Sequence, residues 1–257
     1  MTHKTATAVH AVLLLLAVSC SSWADAARVL RQDDEIRILA IGDSITEGAV
    51  PSKSMNHPYT IQLEQYLRKL RPNTRVTIDN QGVGGAGIFA VGFHKHTTIP
   101  PVAQRAIEQA KVNGRPYNYV VVMLGINDLL RMGKSAEDVK GGLQQICGWA
   151  LDAGSNVLAI PPFGAPGFVS KDDYKEGERH KLAALVRGLA AGENSRRASR
   201  PRMAVLNLQA TIMDFYKMDD SERSRWLDDG LHLTEFGYDV LGRAVARAVE
   251  RNLAVRR

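Results

Sequence analysis

Five short apolar runs, each separated from the next by a stretch of helical periodicity, constrain this chain more than any other feature. They fall at residues 36–41, 75–79, 119–124, 157–160 and 203–208. The first of them, mostly aliphatic, suits a strand covered on both faces, the pattern of a parallel sheet. Between the first two, Ile61, Leu63, Tyr66, Leu67 and Leu70 form an amphipathic repeat that stops before Pro72. Residues 102–112, 135–153 (with Ser135 as N-cap) and 172–192 read as further helices, and 219–226 as a shorter one. Thr234 caps a last helix through Leu253, with Val240, Leu241, Ala244, Val245, Ala248 and Val249 on its buried face. This alternation predicts an α/β fold with helices on both faces of a five-stranded parallel sheet. In such a sheet ligands bind beyond the carboxyl ends of the strands.

A chain of 257 residues can bury one large core, and a charged fraction of 23% is ordinary for a globular protein. The net charge of +6 is spread along the chain, apart from Arg196, Arg197, Arg200, Arg202 and the terminal Arg256-Arg257. No aromatic residues alternate with those arginines, so they read as a solvated loop and no nucleic-acid partner is expected. Residues 1–26 read as a signal peptide: Lys4 gives a basic start, residues 11–18 are apolar, and Ala24-Asp25-Ala26 offers small residues for cleavage. The apolar part is shorter than the roughly 20 residues a membrane span needs. A secreted single domain over 27–257, with its core about 36–254 and no stable membrane anchor, is the expectation. Cys20 also offers a poor lipoprotein box, with Ala17 where leucine is usual. The remaining Cys147 shares a helix face with Val139, Leu143, Ile146 and Ala150 and reads as a small buried hydrophobe. His94-Lys95-His96 has no third ligand in view, so it reads as a polar loop, and neither a metal nor a cofactor is expected.

Chemistry-bearing residues cluster where the strands should end. After the first run Gly42 breaks the pattern and Asp43-Ser44 fall at a strand-to-helix turn, close to backbone N–H groups that favour negative charge. There Ser44 is either a nucleophile or the cap of a helix. After the second run, residues 80–87 contain Gly82-x-Gly84-x-x-Gly87, which matches a dinucleotide fingerprint. That fingerprint should open directly into a helix, whereas residues 88–98 lack an amphipathic period; a glycine turn presenting backbone N–H groups is the better reading. After the third run comes Gly125-Ile126-Asn127-Asp128, where Asn127 either donates to an oxyanion or forms a plain turn. Before the last helix, Asp229 and His232 are three residues apart with Gly230 to bend the loop. That spacing lets a carboxylate fix the tautomer of an imidazole base; the competing reading is an acidic surface loop that includes Asp228. Taken together, a serine, glycine N–H groups, an amide and an Asp–His pair are the parts of one acyl-transfer site.

The four stretches resemble the sequence blocks of SGNH/GDSL-type hydrolases. Gly42-Asp43-Ser44 with Gly48 is similar to the first block, residues 80–85 to the second, Gly125-x-Asn127-Asp128 to the third and Asp229-x-x-His232 to the last. The resemblance implies a three-layer flavodoxin-like fold with sheet order 2-1-3-4-5 and metal-free ester hydrolysis. It implies Ser44 as nucleophile, His232 as base and Asp229 as its orienting partner. The oxyanion hole would be the N–H of Ser44, the N–H of Gly85 and the side chain of Asn127. Two departures stand out: Ile45 follows Ser44 where the family name has leucine, and Ala86-Gly87 replaces a frequent Asp-Thr. The second leaves Gly84 and Gly85 both open as the donor. Short acyl or acetyl esters of carbohydrates or small molecules are the expected substrates. Lysophospholipids, thioesters, or acyl transfer to an alcohol would use the same site. A secreted binding protein without chemistry would have no use for an intact Ser44, Asp229 and His232.

Overall fold

In a computed structural model, which describes residues 35–89, 98–197 and 202–254, the first apolar run becomes strand β1 (Glu35–Gly42). It turns into helix α1 (Ser44–Glu47), passes a small ladder of Ala49–Val50 against Met55–Asn56, and continues through α2 (Tyr59–Leu70) to β2 (Arg75–Gly82). Then follow α3 (Ile99–Val112), β3 (Tyr119–Met123), α4 (Ile126–Leu130), α5 (Ala136–Asp152) and β4 (Asn156–Ala159). The chain closes with α6 (Tyr174–Arg196), β5 (Met203–Val205), α7 (Leu208–Thr211), α8 (Asp220–Trp226) and α9 (Glu235–Ala254). The sheet order is β2-β1-β3-β4-β5, the expected 2-1-3-4-5. The pairing is parallel, with Ile38 opposite Tyr119, Tyr119 opposite Asn156 and Val157 opposite Met203.

The alternation of side chains along β1 builds two cores. Ile36, Ile38 and Ala40 face one side, where Tyr59, Leu63 and Leu67 of α2 pack with Leu241, Val245 and Val249 of α9. Leu39 and Ile41 face the other, against Ala103 and Ile107 of α3, Val139, Leu143 and Ile146 of α5, and Leu182 and Val186 of α6. This double burial is why the run is almost unbroken in its hydrophobicity. Cys147 is fully buried, and burial pushes its thiol up to about 12, with Glu193 adding to the effect. It is inert packing, as expected.

The structure corrects several boundaries. Residues 206–208 were expected to extend β5, but the strand ends at Val205 and the Asn207 side chain caps α7 by accepting from Ala210 N at 3.2 Å. Helix α3 starts earlier than expected, with Pro100 and Pro101 in its first turn, where a missing N–H leaves no bond unmade. Helix α4 takes in Asn127 and Asp128, for which the alternative to an oxyanion donor was a plain turn. Two arginines of the knot are tied into ion pairs at the end of α6: Arg196 meets Glu193, and Arg197 meets Asp152 at 2.6 Å and Glu193 at 3.4 Å. Cations there also suit the helix C-terminus. The signal-peptide segment 1–26, His94, His96 and Arg200 lie outside the described residues. The chain divides into Met1–Glu35, of which only Glu35 is described, and Ile36–Arg257, which carries the sheet from Ile36 onward and everything below. Among the described residues no helix is long and apolar enough to cross a membrane.

Candidate active site

The site is built from four turns at the carboxyl edge of the sheet. The first begins at Asp43, whose side chain accepts from Ile45 N at 3.0 Å and so caps α1 itself. Ser44 is therefore not the cap. Its hydroxyl is left at the N-terminal end of α1, half-buried.

The glycine stretch after β2 is locked onto this turn. Asn80 donates through Nδ2 to Thr46 O at 2.8 Å and accepts from Gly82 N at 2.9 Å. A Cβ on Gly82 would fall 2.1 Å from Glu47 N, so only glycine lets the two segments pass. Val83 N donates to Gly42 O at 3.1 Å, and Ala86 N closes a turn onto Val83 O at 3.1 Å. Gly85 sits inside that turn at φ +70°, left-handed backbone that favours glycine.

The Gly125 turn braces the second turn in its place. Asn127, 5% exposed, donates through Nδ2 to Ala86 O at 2.8 Å, which holds its amide beside Gly85 with a second N–H to spare. Asp128 is fully buried and accepts from Ile88 N and Phe89 N, each at 3.0 Å. Burial raises the Asp128 carboxyl, and those two N–H groups act against the rise. Asp128 was quoted in the sequence only as part of a motif; its bracing role depends on a contact 40 residues away in the chain.

The fourth turn completes the arrangement. His232 Nε2 lies 2.9 Å from Ser44 Oγ, and His232 Nδ1 lies 2.8 Å from Asp229 Oδ2. The other oxygen of Asp229 accepts from Leu231 N at 3.1 Å and from His232 N at 2.7 Å. Burial pushes the Asp229 carboxyl up, but the His232 ring and these N–H groups outweigh it and hold the group below its ordinary range. Asp228 is not the free surface carboxylate expected from sequence. It accepts from Ser52 N at 2.8 Å and from the Ser52 hydroxyl, pinning the 51–53 turn. Asp43, Ile45, Leu124, Ile126, Phe163 and Leu231 line a small apolar hollow beside the serine turn.

Asp43 has a consequence for stability. It is 2% exposed, and burial pushes its carboxyl up to about 7, with the Ile45 N–H opposing and Asp128 reinforcing the rise. A carboxyl whose folded value lies above its unfolded value of 3.8 contributes fully below about pH 4, and that contribution is lost as pH rises through about 7. Asp43→Asn keeps the oxygen that caps α1 and removes the titration. Its stability relative to the parent is expected to rise between pH 4 and 8, by at most about 4 kcal/mol. Urea unfolding at several pH values measures this, and a pH-independent difference would show that Asp43 does not titrate in that window.

Comparison with known proteins agrees with the geometry. The model of the GDSL-like Lipase/Acylhydrolase family matches residues 40–240. A search of curated proteins returns no match. Among solved structures, the native M. smegmatis aryl esterase is similar at 20% identity and a TM-score of 0.62, covering 84% of this chain and 99% of that one. A carbohydrate acetylesterase from Sinorhizobium meliloti is similar at 18% identity and a TM-score of 0.60, covering 84% and 99%. An acetylxylan esterase from Geobacillus stearothermophilus, in a catalytic mutant, is similar at 17% identity and a TM-score of 0.60, covering 83% and 94%. These likenesses bear out the fold, and the family match spans all four turns of the site. The chain belongs to the GDSL-like lipase/acylhydrolase family and is a carboxylic-ester hydrolase.

Proposed function

We propose that the chain hydrolyses short acyl esters of small molecules or carbohydrates through an acyl-enzyme on Ser44. The observation that carries this reading is the continuous chain of contacts from Ser44 Oγ to His232 Nε2 at 2.9 Å and from His232 Nδ1 to Asp229 at 2.8 Å. His232 takes the hydroxyl proton as Ser44 attacks the ester carbonyl, and Asp229 steadies the imidazolium that forms. The proton then passes to the departing alcohol, and water, activated by the same imidazole, releases the acyl group. Donors to the developing oxyanion are the N–H groups of Ser44 and Gly85 and the amide of Asn127, each typically worth about 2.7–4 kcal/mol in such sites.

A short acyl group is supported by the names of two similar structures, a carbohydrate acetylesterase and an acetylxylan esterase. Hydrolysis of 4-nitrophenyl esters from acetate to palmitate, set beside release of acetate from acetylated xylan, tests the proposal. The expected result is a kcat/KM that is highest for the shortest acyl chains and falls as the chain lengthens. A maximum at long chains would point to lipid esters instead. Acyl transfer to an added alcohol that outruns hydrolysis would make the chain a transferase.

A further inference from the structure

The loop after β4, residues 161–169, touches the site from one side and a buried polar cluster from the other. On the site side Pro162 and Phe163 line the hollow beside the serine turn. Gly167 N donates to Gly230 O at 3.1 Å, in the middle of the turn that carries Asp229 and His232. The two backbones approach so closely that a Cβ on Gly167 would lie 2.7 Å from Gly230 Cα. The loop is therefore in direct contact with the segment that sets the imidazole against Ser44.

On the far side the loop is held at both ends. Arg179 Nη1 donates to Pro162 O at 3.0 Å, and Tyr216 Oη donates to Val169 O at 2.8 Å. Arg179 is itself fixed by Glu176, with Nε on Oε2 at 2.7 Å and Nη2 on Oε1. Tyr216 closes the cluster at 3.5 Å from Glu176 Oε2, and His180 Nε2 lies 3.1 Å from Glu176 Oε1. Between these ties the Tyr216 ring packs against Gly164, where a Cβ would meet it at 2.5 Å. Glu176 and Arg179 are each 3% exposed.

A buried ion pair is a poor way to gain stability, because desolvation of the two charges offsets their attraction and apolar residues often do as well. What this pair provides, and apolar packing does not, is a fixed direction. The planar guanidinium presents one edge to Glu176 and aims a third N–H at a single carbonyl of the loop. Resting on the reading of Ser44, His232 and Asp229 as the hydrolytic site, we propose that Glu176, Arg179 and Tyr216 are positioning residues for the reaction. They clasp the 161–169 loop and, through its Gly167–Gly230 contact, set the Asp229–His232 turn at attacking distance from Ser44.

The test separates positioning from mere folding. Active sites of the parent, Tyr216→Phe, Arg179→Lys and Arg179→Met are titrated with a fluorophosphonate, and kcat for 4-nitrophenyl acetate is expressed per titrated site. A variant that is only less stable loses titratable sites, but each surviving site turns over at the parent rate. A clasp that positions the turn gives a lower kcat at each titrated site. Tyr216→Phe is expected to titrate fully and to lose about tenfold in kcat per site with a smaller change in KM, since displacements near 1 Å cost up to about 10²-fold. Arg179→Met is expected to lose more, and Arg179→Lys to recover part of the loss, having the charge but not the fork. Unchanged kcat per site in Tyr216→Phe and Arg179→Lys overturns the proposal, whether or not Arg179→Met folds. If instead the parent is not labelled at Ser44, the hydrolytic reading itself fails and the clasp falls with it.

Discussion

Replacing Ser44 with alanine is expected to leave the fold intact and to remove nearly all ester hydrolysis. The first half follows from the capping pattern: Asp43, not Ser44, accepts the free N–H of Ile45, so α1 keeps its cap. Thr46 and Ile45 remain buried beneath the turn, and Asn80 still ties Thr46 O to β2. The hydroxyl itself is half-buried, and its one partner among the described residues is the His232 ring at 2.9 Å. Its loss leaves an imidazole that water can reach, a small cost. The second half follows from the chemistry. Without Oγ no acyl-enzyme forms, and what remains is the rate that an oxyanion hole and substrate binding give to attack by water. In a well-studied serine hydrolase, loss of the nucleophile lowers kcat about 10⁶-fold, which sets the scale here. Turnover of 4-nitrophenyl acetate, circular dichroism and fluorophosphonate labelling followed by peptide mapping are the measurements. Labelling at another residue, or turnover within about tenfold of the parent, a barrier change of only about 1.4 kcal/mol, would assign the nucleophile elsewhere.

Much of this architecture was legible because its causes are local. The run from Ile36 to Ile41 is apolar on both faces, and that pattern alone reports a strand in the middle of a parallel sheet. Once the strands are placed, the informative residues fall at their carboxyl ends, so Ser44, the glycine turn at 80–87, Asn127 and the Asp229–His232 pair could be picked out from position and residue type, while Gly85 within that turn came only from the family resemblance. Ser135 also behaves as local chemistry dictates: with Asp138 it forms a capping box at the start of α5. What escaped depends on contacts between distant segments. Whether Ser44 or Asp43 caps α1 turns on backbone angles that residue identity does not decide, since both are good caps. The choice between Gly84 and Gly85 also depends on the backbone. Gly85 takes the left-handed conformation inside the turn that Asn127 braces, whereas a Cβ on Gly84 would lie 2.7 Å from the Glu47 carboxylate. Asp228 looked solvated because its partner, Ser52, lies far away in the chain. The Glu176–Arg179 pair is invisible for the same reason: on a helix it reads as one more surface pair at i, i+3, and only the fold buries it.

Asp229→Asn and Asp228→Asn make a sharp contrast, because the two carboxylates are adjacent and hold different things. Asp229 uses one oxygen for the N–H groups of Leu231 and His232 and the other for His232 Nδ1 at 2.8 Å. In Asp229→Asn the amide oxygen can keep the backbone bonds, so the turn survives. The amide nitrogen then faces Nδ1, and a donor there requires an unprotonated Nδ1, which moves the ring proton to Nε2. His232 would then present a donor to Ser44 Oγ where a base must present a lone pair. An equivalent change in a serine protease lowers kcat about 10⁴-fold with the geometry preserved, and a loss of that order is expected here. Among the described residues Asp228 accepts only from Ser52, on the 51–53 turn, and an asparagine there retains one of the two acceptor oxygens. Asp228→Asn is expected to change kcat by no more than about threefold and to lower stability by about 1 kcal/mol. The comparison is made at saturating 4-nitrophenyl acetate, with urea unfolding to separate stability from turnover. If Asp228→Asn proves the more damaging to kcat, the orienting carboxylate is the wrong one; if neither matters, His232 acts without a partner from this turn.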